Sequence, residues 1–208
     1  MKFVAISDTH GQHRHLILPE GDVIIHAGDL SQRGTPGEIR DFLDWFAALP
    51  YRYRIFIAGN HDFYFEKAGE AELRDMIPAG VIYLCDSGVT LEGVRIWGSP
   101  VTPWFFDWAF NRQRGPDIAR HWAMIPPQTD ILIAHGPVYG QLDRTVKGEH
   151  VGCRDLLERV SELRPRIFLS GHIHEAYGQA EAAGTRYLNA AVLDETYRLR
   201  HAPLVFEL

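Results

Sequence analysis

Five times along this chain a short apolar run suited to a buried strand gives way to a cluster in which Asp, Asn or His stands beside Gly or a second such residue. The clusters read Asp8-Thr9-His10, Gly28-Asp29, Gly59-Asn60-His61-Asp62, His135-Gly136 and Gly171-His172-Ile173-His174. Phe3 to Ile6, Val23 to His26, Arg54 to Ala58, Ile131 to Ala134 and Ile167 to Ser170 are the runs that precede them. They carry many β-branched residues and no strict apolar/polar alternation, the pattern of strands covered on both faces. Polar groups just past the ends of such strands are where α/β folds place their ligand sites. One feature therefore constrains both the architecture and the position of the chemistry.

Between these strands the chain reads as helices and tight turns. Pro36 to Leu49 places Ile39, Phe42, Leu43 and Phe46 at helical spacing, with Thr35 as cap and Pro36 as first residue. Arg154 to Leu163 repeats the pattern, and Asp117 to Ile125 suits a short helix. Val81 to Leu84, Val89 to Leu91 and Arg95 to Ser99 read as strands joined by turns at Ser87-Gly88 and Glu92-Gly93. From Ala176 to Leu208 the expectation is antiparallel strands with a turn at Ala183-Gly184 and a looser loop around Asp194. About eleven strands and three or four helices imply an α/β (α+β) chain of two packed sheets flanked by helices. With 208 residues and no linker or repeat, residues 1–208 are expected to form one domain.

A hydrophobic fraction of 46% and a charged fraction of 23% are those of an ordinary globular chain. The formal charge of −6 provides no basic footprint, so stable nucleic-acid binding is not expected. No apolar stretch approaches a membrane span or a signal core, and Cys85 and Cys153 make no metal or disulfide pattern. A cytoplasmic protein without a membrane partner is the expectation. Neither composition nor spacing indicates an oligomeric state.

The clusters mix imidazole nitrogen with carboxylate and amide oxygen and contain no thiolate. That donor set favours Mn²⁺, Fe, Zn²⁺ or Mg²⁺. One ion cannot use all of these groups, whereas two ions sharing Asp29 would leave each with open positions for water. Glycines beside the donors would let the backbone turn sharply. A lone Asp after a strand is usually a helix cap, and His26, inside an apolar run, reads as a core residue. Five such clusters in order have no origin in packing alone.

The motifs DTH, GD, GNHD, AHG and GHIH, spanning residues 8 to 174, resemble the calcineurin-like metallophosphoesterases. AHGPVYGQLD, VGCRDLL, GHIHEAYG and YLNAAV are similar to the metallophosphoesterase-domain-containing subfamily. The resemblance implies a four-layer sandwich of two sheets and outer helices. It implies that Asp8, His10 and His174 hold one ion, that Asn60, His135 and His172 hold another, and that Asp29 bridges them. His61 matches the family's non-ligand catalytic histidine, with Asp62 as the carboxylate that orients it. The first histidine of GHxH, absent from some members of the subfamily, is present as His172.

Two ions sharing a water can present hydroxide in line with phosphorus. His61 would then protonate the leaving oxygen. The expected substrate is a small phosphodiester, with cyclic nucleotides or related nucleotide esters favoured by the resemblance and Mn²⁺ the favoured metal. A nucleotide- or metal-binding scaffold with little turnover, and a phosphomonoesterase or protein phosphatase, are the alternatives. The segment Pro103 to Arg112 holds five aromatics in seven residues. Trp104 or Trp108 could stack on a base and Arg112 or Arg114 meet a phosphate, or the rings could simply pack the core.

Overall fold

Strand β1 (Lys2–Ile6) displays the rule that builds the whole molecule. Phe3 and Ala5 enter one apolar cluster, Val4 and Ile6 enter another on the opposite face, and all four are fully buried. The computed structural model describes the whole chain, Met1–Leu208, and this two-sided burial recurs in β2 (Val23–Ala27) and β3 (Tyr53–Ile57). It recurs again in β9 (Ile131–Ala134), β10 (Ile167–Ser170) and β12 (Thr185–Asn189). Strands buried on both faces need no alternation of polar residues, which explains their continuous apolar sequences.

The first sheet has the order β13-β1-β2-β3-β4, where β4 is Val81–Tyr83 and β13 is Leu204–Glu207. The second has the order β11-β12-β10-β9-β6-β5, where β5 is Ser87–Leu91, β6 Val94–Ser99 and β11 Gly178–Ala182. In both the central strands run parallel, and β13, β11 and β5 form antiparallel edges. Phe3, Ile25 and Ile55 of the first sheet meet Ile96, Ile133 and Leu169 of the second in the layer between them. Helix α1 (Pro36–Ala47) covers the outer face of the first sheet through Ile39, Phe42, Leu43 and Phe46. Helices α4 (Pro116–Ala123) and α5 (Arg154–Leu163) cover the second with Ile118, Trp122, Leu156 and Val160. The result is the four-layer sandwich expected.

Local signals in the sequence account for several boundaries. Thr35 and Glu38 form a reciprocal capping box at the start of α1. Glu92-Gly93 and Ala183-Gly184 both take positive φ and close hairpins, as two-residue turns require. Ser87-Gly88, by contrast, lies inside β5. The turn is made two residues earlier at Cys85-Asp86, where Ser87 Oγ accepts from the Cys85 amide. The last strand also departs from expectation, because β13 pairs with β1 across the molecule instead of with β12. Two short helices, α2 (Phe63–Lys67) and α3 (Glu70–Met76), were not foreseen. Strands β7 (Thr102–Pro103) and β8 (Asn111–Arg112) pair with each other and close the base of the aromatic segment.

Phe42 is fully buried, stacks on Phe46 and meets Phe56 and His26 edge-on. Phe42→Ala should lower unfolding free energy by about 3–5 kcal/mol, the usual cost of a large aromatic deleted from a core. Denaturant titration of both proteins at equal metal concentration measures it.

Candidate metal centre

The parallel strands of both sheets deliver their C-terminal ends to one rim, and every cluster singled out above lies on it. The loops are joined by their main chains. The amide of Asp8 donates to the Gly28 carbonyl at 2.9 Å, that of His10 to Asp29 at 3.1 Å and that of Gly11 to Leu30 at 2.9 Å. Across the second sheet Gly171 donates to the His135 carbonyl at 3.1 Å, and the Val192 amide joins the sheets by donating to Ser7 at 3.0 Å.

Simple alternation along a strand does not bring Asp8 and His10 together. Asp8, His10, Asp29 and His172 have φ of 55°, 42°, 57° and 67°, left-handed values that cost energy in residues other than glycine. The interloop hydrogen bonds hold the chain in that geometry. Gly59 and Gly171 serve the site by lacking bulk. A Cβ on Gly59 would overlap the Asp29 carboxylate, and one on Gly171 would overlap the Asp8 carboxylate and the Ser7 hydroxyl.

Asp8, His10 and His174 bring one donor atom each within 4.8 Å of one another, and so do Asp29, His135 and His172. A third such set joins His10 and Asp29 to His61. His10 Nε2 lies 3.4 Å from His174 Nε2 and 3.6 Å from Asp29 Oδ2. His174 Nε2 is 3.3 Å from Asp8 Oδ1, and His135 Nε2 is 3.4 Å from Asp29 Oδ2 and 2.9 Å from Asn60 Oδ1. The far ring nitrogens are anchored: His135 Nδ1 faces the Ala27 carbonyl at 2.9 Å and His174 Nδ1 the Asp194 carbonyl at 3.0 Å.

Both carboxylates are buried, and their only ion-pair partners are imidazoles. Burial alone would drive Asp29 toward its neutral form, yet His135, His10 and His61 together hold it well below the usual carboxylate range. Burial opposes charge on His135 and His174 too, but the field of Asp29 and Asp8 lifts both to about 9. His172, half-buried and beside His135, falls to about 3 through desolvation and that neighbouring charge. The pocket is thus negative enough to draw positive charge onto atoms that are themselves metal donors.

A family model, "Calcineurin-like phosphoesterase", matches residues 1–176. The chain is 40% identical to the human Metallophosphoesterase domain-containing protein 1 over 230 residues, covering 100% of this chain and 71% of that protein. It is 36% identical to a UPF0046 protein of Caenorhabditis elegans, covering 99% and 74%. Among solved structures, the phosphopantetheinyl hydrolase of Mycobacterium tuberculosis superposes with a TM-score of 0.64 at 17% identity, covering 94% and 90%, and shows the same fold. The chain belongs to the calcineurin-like phosphoesterases.

Membership makes the protein a metal-dependent hydrolase of phosphoester bonds, and divalent metal ions fit its rim. Imidazole Nε2 atoms facing each other at 3.4 Å, with carboxylate oxygens beside them and no Lys or Arg among the ion pairs, suit a shared cation better than mutual hydrogen bonding.

Around these donors the structure corrects one expectation and adds residues the sequence concealed. Asp62 does not orient the His61 ring. Its carboxylate accepts from the amides of Leu30, Ser31 and Gly59 and from the Ser31 hydroxyl at 2.6–3.1 Å, so its lone pairs are spent holding the Asp29 loop to the Asn60 loop. The Gln32 carbonyl takes the orienting place, 2.9 Å from His61 Nδ1. Tyr197, also at positive φ, lays its ring 5.0 Å from those of His10 and His174, and no motif announced it. His26 is a satisfied core residue: its Nδ1 accepts from the Gly28 amide and its Nε2 meets Thr9 Oγ1.

In the aromatic segment Trp108 stacks on His61 with centroids 4.3 Å apart, so one of its faces is taken by a neighbouring side chain. Trp104 is 48% exposed and borders a cavity of about 320 Å³ beside His172. Arg112 is turned away toward Glu66 at 3.2 Å, and it is Arg114 that reaches the cavity wall.

Because Asp29 belongs to two donor sets, Asp29→Asn should lower the metal that the chain retains at more than one position. Metal counting after dialysis tests this, and full retention of one ion would show that the carboxylate is not shared.

Proposed function

We propose that residues 1–208 form one catalytic domain that hydrolyses small phosphodiesters, nucleotide esters including cyclic nucleotides being favoured. The supporting observation is the pair of buried carboxylates, Asp8 and Asp29, whose only ion-pair partners are imidazoles. In this reading Asp8, His10 and His174 would hold one ion, Asn60, His135 and His172 the other, and Asp29 both. When bound, two divalent ions, Mn²⁺ favoured over Fe, Zn²⁺ or Mg²⁺, supply activation of water and neutralise phosphoryl charge. Two free cysteines suit a reducing compartment, and the reading places the protein in the cytoplasm. No helix is long and apolar enough to cross a membrane.

The chain's own groups set the geometry of the reaction. Hydrogen bonds from Nδ1 of His135 and His174 to main-chain carbonyls fix each ring and leave its Nε2 as the donor to metal. His61 follows the same logic with a different outcome. Its Nδ1 is held by the Gln32 carbonyl and its ring lies against Trp108, so Nε2, 4.0 Å from Asp29, is the nitrogen that can hold a proton for the leaving oxygen. Asp62 is a positioning residue that keeps Asp29 and Asn60 in register. Trp104 stands as a substrate contact in this proposal, whereas the contacts of Trp108 and Arg112 favour packing roles.

Metal-dependent release of nitrophenol from a bis-nitrophenyl diester separates this reading from a scaffold with little turnover and from a strict monoesterase. His61→Gln should keep both metals, lose about 10²–10⁴ in rate on an alkyl diester with a basic leaving group, and lose far less on the nitrophenyl diester. Equal losses on both substrates would remove the acid role from His61. Loss of metal would make His61 a ligand.

A further inference from the structure

The cavity beside His172 is completed by two segments, 103–114 and 145–152, that the hydrolytic chemistry does not require. We propose that it is a subsite for the organic group of the ester, and that it takes a planar aromatic group bearing an anionic or hydrogen-bond-accepting oxygen at its edge. The proposal rests on the phosphoesterase reading, since His172 both lines the cavity and belongs to a donor set.

The aromatic segment supplies one wall. Phe105 meets His172 edge-on with centroids 5.2 Å apart, and Trp104 extends the apolar surface outward. Pro137 and Val151 line it as well, and a volume of about 320 Å³ is within the usual range for small-molecule sites. Aromatic faces of this kind hold flat rings without demanding one pattern of donors.

Arg114 provides the polar contribution, set against the hairpin that carries Thr145. Thr145 lines the cavity while its hydroxyl is closed off from it. It is not loosely held, because its hairpin is clamped from several sides. The buried Asp143 carboxylate accepts from the amides of Gly140 and Gly152 and lies 2.6 Å from His150 Nδ1. The Thr145 amide donates to Glu149 at 2.9 Å, and Val146 ties the hairpin to Glu175 at 2.8 Å. Arg114 is the only Lys or Arg in the lining, and its guanidinium is oriented by the carbonyls of Val151 and Gly152 at 2.8 and 2.9 Å. A cation so fixed favours an anionic or acceptor oxygen at the edge of the bound ring.

Calorimetric titration of the metal-loaded protein with methylphosphonate, phenylphosphonate and 4-carboxyphenylphosphonate tests this, since none can be hydrolysed. Affinity should rise by about 10-fold at the first step, the scale of one stacking contact, and again at the second. Trp104→Ala should flatten the first step while leaving metal content and methylphosphonate affinity unchanged. Arg114→Gln should flatten only the second. Absence of the ladder in the unaltered protein, or its persistence in both variants, would overturn the subsite. Should Trp104→Ala also lose methylphosphonate, Val151→Trp decides: filling the cavity must abolish the ladder, and a ladder that survives refutes the proposal. A protein that binds the series but hydrolyses no phosphate ester would sink the phosphoesterase reading and leave the subsite standing. Turnover without a ladder would do the reverse.

Discussion

Asp8 and Asp29 are buried at the seam between the two sheets, and only imidazoles answer their charge. Removing an ionised carboxylate from water costs several kcal/mol unless a counter-charge and hydrogen bonds replace the solvent. Part of that replacement is main-chain: the amide of His172 donates to both oxygens of Asp8, and the amide of His61 donates to Asp29 at 2.8 Å. The charge left over is carried by His135 and His174, or by cations placed between these groups. A site that is costly when empty and satisfied when loaded couples metal binding to the stability of the rim.

The rest of the architecture supports this arrangement. Parallel strands buried on both faces converge on one rim, and loops from different strands then pair through their backbones. The left-handed conformations of Asp8, His10, Asp29 and His172 persist because those pairings over-determine them. Asp62 contributes in the same way: buried, beside Asp29 and raised to about 6, it accepts four hydrogen bonds that fasten neighbouring loops.

Much of this was visible in the residues. Continuous apolar runs such as Ile131 to Ala134 foretold doubly covered strands, and the Thr35-Pro36 start of α1 announced its cap. The donor clusters were legible because their residue types have no packing purpose at strand ends. What stayed hidden depended on contacts distant in sequence. The pairing of β13 with β1 joins the two ends of the chain, and nothing local in Leu204 to Glu207 specifies that partner. The Asp62 carboxylate sits next to His61 in sequence yet serves residues 31 and 32 positions away. Tyr197 reaches the site only because Asp194 folds its loop, accepting from Thr196 and Arg198 with its side chain while its carbonyl faces His174.

The central claim is that the seam holds two ions which share one carboxylate. A crystal grown with Mn²⁺ and mapped by its anomalous scattering measures this most directly. Two peaks about 3.5–4 Å apart are predicted, one among Asp8, His10 and His174, the other among Asn60, His135 and His172, with Asp29 touching both. A single peak, or a second peak ligated by His61 in place of His172, would contradict it.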